Sequence, residues 1–157
     1  MDMQLGIKPE NRERVAQLLS IVLSNEFIVY TKTRRAHWNI EGVDFHTMHT
    51  FFESQYEQLN QMMDEVAERI RTIGHYAPAT LKEFLALTHL SERIHEKNDG
   101  MGFIKELLAD HESIIIHLRE NIDHIANELK DAGSSDFITG LMEAHEKMAW
   151  MLRTHLK

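Results

Sequence analysis

The chain has 157 residues with 17 basic and 25 acidic side chains, a formal charge of −8, 11 histidines and no cysteine. That length suits one domain with a sizeable core, and the lack of cysteine excludes disulfides and thiolate metal ligands. The acidic balance disfavours a broad nucleic-acid surface, and no run of about 18 apolar residues exists to span a membrane.

Only two prolines and seven glycines punctuate a sequence rich in Leu, Ile, Glu, Met and His, a composition for long helices. A first helix is expected from Pro9 to about Ala36, with Val15, Leu18, Leu19, Val22 and Val29 inward. Glu26 interrupts that apolar run and reads as an exposed edge or a paired carboxylate, ahead of a ligand. After His37 the segment WNIEG reads as a turn, with Gly42 free to take positive φ and Asp44 as N-cap. A second helix follows from about Phe45 to Thr72, burying Met48, Phe52, Leu59, Met62, Met63, Val66 and Ile70, and Gly74 ends it.

Residues 75–99 break the pattern. Pro78 is expected to open a short helix, TLKEFLAL, before the polar SERIHEKNDG. A connection this long crosses the bundle rather than joining antiparallel neighbours. The third helix spans about Met101 to Lys130, with a seam of Ile104, Leu108, His111, Ile115, Leu118, Ile122, Ile125 and Leu129. His111 in that seam reads as a hydrogen-bonded core imidazole. A fourth helix capped by Ser134 or Ser135 runs to about His155, with Phe137, Leu141, Met148 and Leu152 inward. His75, His89, His95, His117, His124, His145 and His155 are expected on the surface or in loops, and His46 stands next to the candidate site without belonging to it. The fold class is all-α: a ferritin-like four-helix bundle with a short extra helix in the crossover between helices 2 and 3. It forms one domain over residues 1–157.

The chemistry concentrates in the second helix. His49, Glu53, Glu57, Asp64 and Glu68 recur at steps of four, four, seven and four, within roughly 100° of arc on one face. Imidazole and carboxylate together suit iron, zinc or manganese. Glu53 to Asp64 is roughly 16 Å along a helix, whereas ligands sit about 2 Å from a metal. One straight helix therefore cannot bring both ends to the same ion. Two copies paired antiparallel across a two-fold axis can, which gives two equivalent sites per dimer. Within one bundle, ferritin-like di-iron sites use two Glu-x-x-His motifs. Here only Glu92–His95 fits, in the polar crossover.

The stretch HWNIEGVDFHTMHTFFESQYEQLNQMMDEVAERI resembles the signature segment of the Dps family, the starvation-induced miniferritins. His-Trp-Asn is followed by a second histidine twelve residues after the first, then Asp and Glu fifteen and nineteen further on. The resemblance implies iron ligands His37 and His49 from one subunit and Asp64 and Glu68 from its two-fold mate. Where the family commonly has Asp four residues after the second histidine, this chain has Glu53, which reaches one methylene further. It also implies a hollow dodecamer that oxidises Fe(II), preferably with hydrogen peroxide, and stores ferric mineral as protection against oxidative damage. Glu57 is placed to hold an extra iron or seed mineral, or to be a solvated cavity charge. Asp136 resembles the family's pore aspartate, with Asp131 and Glu143 as weaker pore candidates. Trp38 stands either to quench radicals or to pack at the interface. Some relatives condense DNA through a lysine-rich tail, but here Lys8, Arg12 and Arg14 are offset by Asp2, Glu10 and Glu13. A dodecamer would carry about −96, so DNA binding is not expected. No signal sequence is visible, and a cytoplasmic location is the expectation.

Overall fold

In a computed structural model, which describes residues 3–93 and 95–157, the described residues form helices and no strands. Helix α1 spans Pro9–Asn39, α2 Phe45–Thr72, α3 Leu81–Leu87, α4 Gly100–Asp123 and α5 Ala132–Thr154. A π-helical turn, His124–Glu128, extends α4. α1 packs on α2 and α4 on α5, each pair joined by a short turn, while the crossover carries α3 against α1. This is the four-helix layout with one long crossover that the sequence predicts.

Pro9 starts α1 where its missing N–H costs nothing. The helix runs three residues past the expected end, so His37 lies in its last turn rather than at its exit. Gly42 at φ 125° then reverses the chain, and Gly74 at φ 92° follows α2. α3 starts later than Pro78 suggested. Thr80 and Glu83 cap it reciprocally, Glu83 N donating to Thr80 Oγ1 at 3.2 Å and Thr80 N to Glu83 Oε2 at 3.0 Å. The Thr80 hydroxyl, then the Ala79 and Thr80 backbone N–H groups, donate to the Glu83 carboxyl and hold it below its ordinary value.

The expected serine cap of the last helix is corrected. Asp131 caps it, accepting from Ser134 N at 2.9 Å and Ser134 Oγ at 2.6 Å. Arg69 of α2 donates to the same carboxylate at 3.3 Å and to Ser134 Oγ at 3.0 Å, bolting α2 to α5. Asp131 is only 2% exposed, with its carboxylate engaged by the helix cap and Arg69.

The core holds Leu19, Val29, Phe52, Leu59, Val66, Ile70, Ile104, Leu118, Ile138 and Leu152, all nearly inaccessible, with Phe52 meeting Phe103 edge-on at 6.0 Å. On α4, Leu107 and Ile114 take fully buried places, whereas Ile115 and Ile122 are only partly covered. A bundle helix buries a wider stripe than a single three-four seam.

A second correction concerns His145. It was expected on the surface and is wholly buried with His111 and Glu26. Its Nε2 lies 2.6 Å from Glu26 Oε1, and its Nδ1 lies 2.8 Å from His111 Nδ1. Glu26 is thus the paired carboxylate of the two alternatives, and His111 is the expected core imidazole. A fully buried carboxylate demands such a donor.

Polar ties hold the crossover down. Asn25 Oδ1 accepts from Thr88 Oγ1 at 2.7 Å and His89 N at 3.1 Å, leaving Asn25 Nδ2 to donate to His89 Nδ1 at 2.8 Å. Lys32 reaches Asp110 at 2.5 Å and the Ser91 carbonyl at 3.2 Å. His95 donates from both backbone N and Nδ1 to Glu106, at 2.9 and 2.8 Å. His95 is therefore a loop anchor; Ile94, within the Glu92–His95 spacing, lies outside the described residues. A Cβ at Gly102 would sit 2.5 Å from this anchored ring. Gly102→Ala is expected to lose about 1–3 kcal/mol by overpacking, read as a lower urea midpoint. An unchanged midpoint would show that the His95 anchor yields freely.

Candidate metal centre

The Gly42 turn brings the last turn of α1 beside the first turns of α2, and His37 and His49 stack there. Their ring centroids are 3.7 Å apart at 20°. Each Nδ1 lies 2.7 Å from the backbone oxygen of the other histidine. A carbonyl can only accept, so both rings carry their proton on Nδ1, and in the neutral form each Nε2 presents a bare lone pair. Backbone hydrogen bonds of this kind fix tautomer and orientation in metal-binding histidines. The two rings are thus prepared for a cation.

Aromatic groups surround the pair. Phe45 stacks on the outer side of His49 at 5.1 Å, and Tyr56 sets its ring edge-on to His37 at 5.1 Å. The Tyr56 hydroxyl points to Glu53 Oε1 at 3.4 Å. Burial, and then the Glu53 charge, push the Tyr56 phenol up, so it remains a donor. Arg34 lies 4.1 Å above the Tyr56 ring and 5.6 Å from that of Trp38. Trp38 itself is 66% exposed.

His37, His49 and Glu53 therefore share one neighbourhood, whereas Asp64 and Glu68 do not join it. They are exposed on α2, about 22 Å and 28 Å along the helix from His49 at 1.5 Å per residue. Among the described residues no three His, Asp or Glu side chains are arranged to hold a metal within the single chain. Asp64 instead borders a groove of about 470 Å³ lined by Leu23, Phe27, Met63, Pro78 and Phe84. Glu57, Asp136 and Glu143 are exposed, consistent with solvated charges. Sequence reading missed Tyr56, Arg34 and Phe45. Their i, i+3 and i, i+4 spacing from Glu53, His37 and His49 was the available signal.

The Ferritin-like domain family matches residues 16–157. The chain superposes on the Dps protein of Vibrio cholerae with TM-score 0.91 and 28% identity, covering 100% of this chain and 98% of that one. That protein is described as a member of a broad superfamily of ferritin-like diiron-carboxylate proteins. An uncharacterized low temperature-induced protein of Nostoc is 37% identical over 98% of this chain and 86% of its own length. DNA protection during starvation protein 2 of Bacillus anthracis is 31% identical, over 92% and 97%. Fold and ligand types thus define a ferritin-like protein. More narrowly, the chain belongs to the Dps family of ferritin-like proteins. Membership carries the family's general role as an iron-storing miniferritin with ferroxidase activity.

Proposed function

We propose that this protein oxidises Fe(II) with hydrogen peroxide at sites shared by two subunits, and stores the ferric product inside a dodecamer. The reading rests chiefly on one observation: two stacked histidines with both Nδ1 atoms committed to backbone, at the opposite end of α2 from Asp64 and Glu68. Two antiparallel copies of α2 would set His37, His49 and Glu53 of one subunit against the Asp64 and Glu68 of the other. Imidazole and carboxylate together fit iron.

Fe(II) is the substrate. His37 and His49 supply neutral nitrogen, and the carboxylates supply the negative charge that favours the ferric product. Two ions held together each give one electron to peroxide, which with two protons leaves as two waters and no hydroxyl radical. Exposed Asp136 and Glu143 would draw cations toward the interior at a pore. The name of the Bacillus relative raises DNA protection as a second role. With −8 per subunit, consuming peroxide and iron is favoured over coating DNA.

The decisive experiment is anaerobic Fe(II) loading followed by a peroxide pulse. Ferric absorbance should rise in step with added iron, and His49→Ala should lower the rate about 100-fold or more, since even a lost supporting partner costs 10–100-fold. Unchanged kinetics in that variant would sink the reading. Assembling equal amounts of His49→Ala and Asp64→Ala subunits tests the sharing. A mixed dimer regains one intact site of two, so about a quarter of all sites should return on random pairing. No recovery would place the site within one chain.

A further inference from the structure

Resting on that shared-site reading, we infer that Tyr56 is a positioning residue, gripping Glu53 so that its longer side chain presents a carboxylate where the family commonly uses Asp. Tyr56 touches two candidate ligands that come from different helices. Its hydroxyl reaches Glu53 Oε1 at 3.4 Å, and its ring lies edge-on to His37 at 5.1 Å. The ring is itself held by Arg34 at 4.1 Å on its face and Tyr30 at 6.3 Å at its edge.

The chemistry calls for such a grip. Glutamate has one more rotatable bond than aspartate, and a freely turning carboxylate must be ordered when a cation arrives. Tyr56 sits one helical turn beyond Glu53, on the side where i and i+3 side chains meet. A hydroxyl hydrogen-bonded to Oε1 halves the orientations open to the carboxylate and leaves Oε2 for the cation. The contact is long for a hydroxyl bond, as is common at centres that tighten only around their ligand.

Tyr56→Phe keeps the ring against His37 and under Arg34 and removes the hydroxyl alone. The probe is anaerobic Co(II) titration of the assembled protein, followed by its visible absorption. Tyr56→Phe should bind Co(II) about 3- to 10-fold more weakly, the worth of one hydrogen bond, with an altered band. In a Glu53→Asp background, where the shorter side chain needs no grip, the same change should alter affinity less than about 2-fold. His49-dependent uptake that Tyr56→Phe leaves untouched, or weakens equally in both backgrounds, overturns the role of Tyr56 alone. Uptake absent from the wild type, or undiminished in His49→Ala, overturns the shared site and this inference with it.

Discussion

Replacing His145 by leucine is expected to destabilise the fold by about 3–5 kcal/mol. The imidazole is the partner of a carboxylate with no exposed surface, at 2.6 Å. Without it the buried Glu26 carboxyl loses its hydrogen-bond partner, which costs the folded state. The second oxygen, Oε2, already lacks a partner among the described residues, so it offers no compensation. Adding Glu26→Leu to His145→Leu should recover most of the loss, because well-packed apolar side chains commonly match or exceed a buried ion pair. Urea midpoints of the wild type, both single variants and the double variant supply the cycle. The two losses should be strongly non-additive; simple additivity would mean that the contact carries no coupling. His111 reports on the same chain, since its Nδ1 faces His145 while its Nε2 is buried with no partner among the described residues.

That core trio also shows what the sequence could and could not reveal. Helical periodicity located all four long helices and the crossover helix, because buried faces repeat every three or four residues regardless of partner. His145 was legible by the same rule, lying between Leu141 and Met148 on the α5 line, but its polarity was allowed to outweigh its position. Position wins where a neighbouring helix offers a counter-group, and Glu26 lies 119 residues away. The Asp131 cap was missed because Ser134 and Ser135 were read as the cap, whereas Ser134 is the donor to it. At the candidate site, the stripe on α2 was readable from spacing. The stacking of His37 on His49 was not, since it depends on the Gly42 turn, nor was the brace of Tyr56 and Arg34. The length of α2 still carried a strong conclusion. If the candidate ligands at the two ends of one straight helix are to share an ion, a second copy must supply one of the ends.

Acid should weaken the fold before the carboxylates titrate. Burial, reinforced by neighbouring His145, keeps the His111 imidazole well below the ordinary histidine value of 6.5. The unfolded chain takes up this proton below about pH 6.5, while the folded chain does not. Stability is therefore fully present above that value and falls as pH drops, by up to about 1.4 kcal/mol per pH unit for this one group. His117 and His89 are lowered in the same direction, chiefly by burial, and add smaller amounts because both are partly solvated. Asp110 acts oppositely, since burial raises its carboxyl, and its influence reaches upward from a reference of 3.8. Glu106, lowered overall by His95 and Lys32 against its own burial, joins the histidines only near and below 4.5. The window to measure is about pH 5 to 6.5, below the ordinary histidine value and above that of Glu106. Urea midpoints across it should fall steadily for the wild type. His111→Gln, which keeps an amide for His145 and removes the titrating ring, should flatten the slope by nearly one proton's worth. Parallel curves would mean that the core imidazole protonates in place, and that the Glu26–His145–His111 chain accommodates the added charge.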